Sequence, residues 1–238
     1  MMQAKIHNRD SFLGSLVAKL GRELTTQGVV RPPLPHNPHH DVMAGFSQQQ
    51  LADALLEFTK TNLNSLGVSC TKAELNETLI SICTGFRAGK IVVSGDNRLA
   101  ELDVANSLKL QFNDVYTWNV DQAHAVNIKQ AEQAKVGIVF AEQALAESGT
   151  MVLHSAASHG RSVSLLPETS VFLVPQSQIV PRITQAAKVL HDKAQAGERL
   201  PSCVNFISGP SSTADIELIK VVGVHGPIHA AYVVIADM

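Results

Sequence analysis

Between residues 47 and 66, Leu51, Ala54, Leu55 and Phe58 fall on one face of a helix that Ser47 is placed to cap. Earlier, Phe12, Leu13, Leu16, Val17 and Leu20 repeat at helical spacing over 11–20, behind Asp10 as a possible cap. From about Val68 the pattern changes to short apolar runs alternating with helical stretches. It predicts a helix over 73–86 (Leu75, Leu79, Ile82, Cys83, Phe86), strands over 91–93 and 115–118, a helix over 127–134 and a strand over 136–140. The apolar runs 151–153, 163–166 and 171–174 follow with no helix between them, so part of the sheet is expected to be built from hairpins. A long amphipathic helix over 179–196 is stopped by Gly197, and strands over 203–207 and 229–235 close the chain. Strand–helix alternation with short connections predicts an α/β layered domain, in which functional groups gather at the carboxyl ends of strands.

Residues 25–41 interrupt this order with Pro32, Pro33, Pro35 and Pro38 among His36, His39 and His40. Prolines this dense exclude a regular helix and favour an extended linker. The His/Asp grouping has metal-ligand chemistry, but a proline-rich loop does not fix ligand geometry, so no metal site is assigned. The organisation that follows is an N-terminal helix and proline-rich linker over 1–46, then an α/β domain over 47–238 whose first helix spans about 47–66.

Composition narrows the function classes. A hydrophobic share of 45% with 17% charged residues is that of a folded globular protein. A formal charge of −2 leaves no basic surface able to neutralise many phosphates, so nucleic acid is not an expected partner. The start of the chain carries charge from Lys5 onward with no apolar signal segment, and nothing approaches the ~18 apolar residues of a membrane span. Cys70, Cys83 and Cys203 are scattered, with no C-x-x-C pair, so no iron–sulfur or zinc site is expected in this chain. A cytoplasmic protein with reduced thiols is the expectation.

The candidate chemistry lies in turns. An apolar strand runs into Ser208–Gly209–Pro210–Ser211–Ser212–Thr213–Ala214–Asp215–Ile216–Glu217, where Gly and Pro force a bend crowded with hydroxyls. A helix starting near Ser212 would add free N–H groups, making a cradle for an anion. Ser212-x-x-Asp215 equally fits a capping box. Gly223–Val224–His225–Gly226–Pro227 is a second tight turn, in which His225 has room to approach a ligand. Glu147–Ser148–Gly149–Thr150 has the form of a hairpin tip with Gly149 at positive φ, and its carboxylate has the chemistry of a base, nucleophile or ligand. Arg161 offers a bidentate clamp for a carboxylate, against the plainer reading of a solvated loop charge. No nucleophile elbow, phosphate-binding loop, zinc-protease helix or dinucleotide fingerprint is present.

In order and spacing, Ala146 to Thr150, Arg161-x-x-Ser164–Leu165–Leu166–Pro167, Ser208 to Ser211, Thr213 to Glu217 and Gly223 to Pro227 resemble the LUD-domain family, most of all its lactate-utilization protein C branch. The resemblance covers the chain from about Val68 onward. It implies a three-layer α/β sandwich like that of the sugar-phosphate isomerase and CoA-transferase superfamily, here with an N-terminal helical extension. It also implies a part in oxidising L-lactate to pyruvate beside two iron–sulfur proteins, which would carry the clusters that this chain lacks. Ser212 and Ser170 depart from the pattern, standing where many relatives carry Arg and His, and leave Arg161 or Lys220 as the substitute cations.

On this reading the ligand-binding candidates for a small carboxylate or other small anion are Glu147, Gly149, Arg161, Ser208, Gly209, Pro210, Ser211, Thr213, Asp215, Glu217, His225 and Gly226, with Glu147, Asp215 and His225 as the candidate catalytic groups. The main hypothesis is a non-redox subunit of a lactate-oxidising system. One alternative is a CoA-transferase-like enzyme using Glu147, by analogy with the Glu-x-Gly turn of that fold. Another is a regulatory protein that senses a small carboxylate.

Overall fold

The computed structural model describes residues 7–24, 28, 30, 33, 36–215 and 217–238. Thr25, Pro32 and Pro35 of the linker, Lys5 at the start of the chain and Ile216 of the fourth motif lie outside the described residues. Contacts divide the chain into two units, Met1–Pro38 and His39–Met238. The first contains helix α1 (Arg9–Lys19), in which no residue is buried. Asp10 does not cap it: Asn8 holds the N-cap position in a left-handed conformation, and Asp10 sits inside the first turn, bonded to Arg9.

The second unit begins with α2 (Gln48–Thr61), β1 (Leu66–Cys70), α3 (Leu75–Gly85), β2 (Lys90–Val93), α4 (Asn97–Glu101), α5 (Val104–Lys109), β3 (Asp114–Thr117), α6 (His124–Glu132) and β4 (Val136–Phe140). It continues with β5 (Gln143–Leu145), β6 (Thr150–His154), α7 (Ser162–Leu165), β7 (Thr169–Pro175), β8 (Ile179–Val180), α8 (Ile183–Gln195), β9 (Val204–Ser208), β10 (Ser212–Thr213), β11 (Val221–Val222) and β12 (His229–Ile235). Ser47 caps α2 as expected: its hydroxyl accepts from Gln50 N–H at 3.2 Å while its own N–H donates to Gln50 Oε1 at 2.8 Å.

Six strands make a parallel sheet in the order β1-β12-β7-β4-β2-β3. Successive side chains in a strand face opposite ways, so each strand feeds two cores. Ile91, Val93, Ile138, Phe140, Val171 and Val233 pack with Leu75 and Leu79 of α3, Leu99 of α4 and Leu108 of α5. Val92, Val139, Phe172, Tyr232 and Val234 pack on the other face with Leu51 and Leu55 of α2 and Met151 and Leu153 of β6. Burial on both faces is why β4 and β7 read as unbroken apolar runs. Among the described residues, no helix is long and apolar enough to cross a membrane.

A second sheet, β8-β5-β6-β9, contains the hairpins. β6 is antiparallel to both β5 and β9, whereas β7 lies in the middle of the parallel sheet. Two apolar stretches therefore differ from expectation. Residues 163–166 are not a strand. Ser162–Leu165 is one turn of helix, closed by Ser164 Oγ donating to Arg161 O at 3.1 Å and ended before Pro167. The stretch 179–196 is not one helix either. Ile179 and Val180 pair with Ala144 and Leu145, and Pro181 separates them from α8. All three cysteines are free thiols, and burial pushes Cys83 up to about 12, which makes it unreactive.

Candidate functional site

Tyr232, in the middle of β12, is fully buried, and its hydroxyl ties two of the motif turns together. It accepts from Gly209 N–H at 2.7 Å and donates to the Gly149 carbonyl at 3.0 Å. Burial pushes its pKa up to about 12, with the Gly209 bond acting the other way, so the phenol stays a donor. Ser208 Oγ adds a bond to the Ser148 carbonyl at 2.7 Å. The third turn joins through Ser211 N–H, which donates to the Pro227 carbonyl at 2.9 Å, and Gly223 N–H, which donates to Ser211 O at 2.8 Å. A Cβ at Gly226 would lie 3.0 Å from Ser211 Cβ, so the two turns meet at a point where glycine fits.

These turns enclose a hollow of about 390 Å³ lined by Ser208, Gly209, Pro210, Ser211, Ser212 and His225, with Ser164, Ser170 and Phe172 on the sheet side. Among the described residues, the hydroxyls of Ser211 and Ser212 and the ring of His225 have no protein hydrogen-bond partner. The helix considered near Ser212 is absent. Ser212–Thr213 is strand β10, paired with β11, and the chain turns through Glu217 and Leu218 at φ 53 and 58. The capping box is absent too, since Asp215 accepts from the Thr213 hydroxyl at 2.6 Å. The hollow can therefore hold an anion through hydroxyls and imidazole, but not through a helix terminus.

The remaining candidates are elsewhere. Gly149 is at φ 57 on the β5–β6 tip, as the turn requires, where a Cβ would come 2.7 Å from Leu63. Glu147 does not line the hollow: its Oε1 is held by Arg182 through Nη2 at 2.9 Å and Nε at 3.0 Å. Asp215 and Glu217 are exposed and outside the hollow. The small hollow also lies at the opposite edge of the parallel sheet from the one expected, because His225–Gly226–Pro227 leads into the amino end of β12.

At the carboxyl edge is a larger cleft of about 1060 Å³, to which Arg161 belongs together with Glu142, His154, His159, Lys193 and Arg199. Helix α7 and the residue before it serve both cavities: Arg161 and Ser162 line the cleft, Ser164 and Leu165 the hollow. Under the cleft, Arg98 bridges Asp96 at 2.6 Å and Glu142 at 2.6 Å and lies 4.4 Å from the centre of the Phe140 ring. Trp118 Nε1 donates to Ala157 O at 3.0 Å, and a Cβ on Gly160 would lie 2.5 Å from the indole, so the 155–160 loop is pinned to the sheet edge. Sequence reasoning named Arg161 at this edge but missed the Asp96–Arg98–Glu142 group beneath it. The available signal was Gly95–Asp96-x-Arg98 directly after an apolar strand.

Burial disfavours the charged form of Asp96, but hydrogen bonds and charge from Arg98 outweigh it and hold the carboxyl below its usual range. Burial lowers His154, with Glu142 opposing and Lys193, Arg98 and His159 reinforcing. A depressed Asp96 stabilises the fold above the unfolded-state value of ~3.9, and that stability is lost as pH falls toward the folded-state value. Arg98→Gln should cost about 1–3 kcal/mol at pH 7, at the low end because the Arg98 and Glu142 side chains remain 28% and 30% exposed. Urea unfolding of both proteins should show that gap narrowing as the pH falls below the unfolded-state value of ~3.9 toward the depressed folded-state one. A gap unchanged from pH 7 to pH 3 would count against the network.

Among the described residues no three His, Cys, Asp or Glu side chains group closely enough to hold a metal ion. The family model for the LUD domain matches residues 53–235. The chain is 43% identical to Lactate utilization protein C of Geobacillus sp. (strain WCH70) over 100% of its own length and 99% of that protein's. It is 39% identical to the protein of the same name in Bacillus subtilis (strain 168), with 100% of both chains covered. Over 97% of its length it is 47% identical to the uncharacterized protein YkgG of Escherichia coli (strain K12), of which 99% is covered. Among solved structures, a DUF162 family protein from Deinococcus radiodurans matches with a TM-score of 0.58, covering 80% of this chain and 99% of that one; at 19% identity the likeness is one of fold.

Proposed function

The chain belongs to the LUD-domain family, and on that premise we propose that it is a non-redox subunit of a system oxidising L-lactate to pyruvate. The support is full-length similarity to proteins named Lactate utilization protein C. The observation that carries a binding role is the hollow between the Ser208–Ser211 and His225–Pro227 turns, with hydroxyls and an imidazole that no protein group engages among the described residues. Conversion of L-lactate to pyruvate releases two electrons and two protons. In this reading the electrons pass to two iron–sulfur partner proteins, and this chain, carrying no cofactor of its own, holds the carboxylate and hydroxyl of a small 2-hydroxy acid or binds the partners in register. His225 is the group in the hollow able to take a proton. The proposal extends to architecture: a three-layer α/β sandwich of the sugar-phosphate isomerase and CoA-transferase type over 47–238, with 1–46 as an extension, in a cytoplasmic protein.

A CoA-transferase-like use of Glu147 fits less well, because a carboxylate held by Arg182 at 2.9 Å is a poorer nucleophile than a free one. Clean deletion of the gene, in a strain with no other L-lactate oxidase, should abolish growth on L-lactate, and the full-length protein should restore it. A tagged full-length chain should also co-purify with iron–sulfur proteins. Normal growth of the deletion strain on L-lactate would refute the proposal.

A further inference from the structure

We infer that the cleft between the 155–161 loop, α8 and the 199–203 segment is a second binding site, for a small organic diphosphate of the nucleoside diphosphate kind. Its size argues first. At about 1060 Å³ it stands at the upper end of the ~300–1,000 Å³ range of small-molecule sites, far beyond what a 2-hydroxy acid fills. Its charge argues next. Arg161, Lys193 and Arg199 come from three separate segments, and among the described residues none of them has an ion-pair partner. Glu142, the carboxylate of the lining, is already held by Arg98 through both oxygens, at 2.6 and 3.2 Å. Arg98 is shared between Asp96 and Glu142, so that group keeps one net negative charge and the wall presents about two uncompensated positive charges, against the two to three negative charges of a diphosphate ester at neutral pH.

The imidazoles add donors at the same wall. Ser158 Oγ lies 2.9 Å from His159 Nδ1, which fixes the ring and leaves Nε2 without a protein partner among the described residues. Burial and the neighbouring cations depress His154, and a diphosphate would reverse that by supplying the missing anion. Leu200 and Pro201 give the cleft an apolar side on which a flat organic group can lie. The rim is preformed: the loop rests on Trp118 and on Gly95, where a Cβ would meet the Ser158 carbonyl oxygen at 2.5 Å. The cleft also opens at the carboxyl end of β4, through Glu142, where α/β folds concentrate ligands.

Isothermal titration of the full-length protein with ADP and with inorganic diphosphate, without added metal, tests the site. ADP should bind with a Kd of roughly 10–300 µM at low ionic strength, inorganic diphosphate more weakly, and both should weaken with salt. The double variant Lys193→Gln/Arg199→Gln, and separately Arg161→Gln, should weaken ADP binding about tenfold or more. Lys109→Gln, exposed on the opposite face of the sheet, should leave it unchanged. No heat from either probe up to ~5 mM, equal weakening by Lys109→Gln, or adenosine binding as tightly as ADP would each overturn the proposal. Thermal melts of the variants verify folding, and the exposed Arg199 alone supplies a substitution outside the core. The site is independent of the lactate reading: growth on L-lactate can fail or persist whatever the titration shows.

Discussion

Tyr232→Phe should lower the unfolding free energy by about 2–4 kcal/mol and the melting temperature by roughly 5–15 °C, although it removes a single oxygen. That hydroxyl accepts from Gly209 and donates to Gly149, in a place where no water reaches the ring. Without it a buried N–H and a buried carbonyl lose their partner, each at a cost of ~1–3 kcal/mol, while the packing of the ring against Phe172 is retained. The effect should extend to binding, because the bond sets the distance between the β5–β6 tip and the Ser208–Ser211 turn. Urea unfolding and titration with small carboxylates would measure the two parts. A loss of stability below ~0.5 kcal/mol would show that the turns hold together without the phenol.

Gly137→Ala should be still more damaging, by ~3 kcal/mol or more, to the point of insoluble expression. A methyl at this position of β4 would fall on the Val163 carbonyl oxygen and come 2.8 Å from Pro167 Cγ. The obstacle is backbone of α7, which cannot turn aside as a flexible side chain would. Since α7 lines the cleft through Ser162 and the hollow through Ser164 and Leu165, a displaced turn changes both sites together. Gly85→Ala is the matched control. It lies at the end of α3 with nothing within 4 Å of its would-be Cβ, and should be neutral or stabilising by up to ~1 kcal/mol. Comparable unfolding midpoints for the two variants would disprove the close-approach argument.

The most legible parts of the sequence were those whose burial is uniform. β4 and β12 occupy the expected 136–140 and 229–235 to the residue, because strands buried on both faces leave an unbroken apolar run between polar ends. α2 was legible for a different reason: Ser47 and Gln50 cap it through bonds three residues apart, which local sequence encodes in full. The short helices α4 and α5, five and six residues long, are below the length at which a period can be read. The 163–166 run was misread because its apolar character serves a helical turn against Gly137, a contact made across 26 residues of chain.

The same division holds for the candidate site. Turn chemistry identified the hydroxyl-rich segment and the His225 turn, and these do come together. Glu147 and Asp215 had the right residue type, but Arg182 and Thr213 each engage one of their carboxylate oxygens away from the hollow, and neither pairing leaves a periodic or motif signature. The Asp96–Arg98–Glu142 group is joined across 44 residues, so only the folded chain reveals it.

Trp118 holds the 155–160 loop, and it is also the sole tryptophan of the chain. Its ring stands edge-on to His124 at 5.6 Å, and His124 itself lines the large cleft. The protein thus carries one indole, buried directly behind His124 and Gly160 of the cleft wall. Excited selectively over the two tyrosines, its emission reports on that wall, so occupancy of the cleft can be followed in the unlabelled protein in real time, whatever else the chain is bound to.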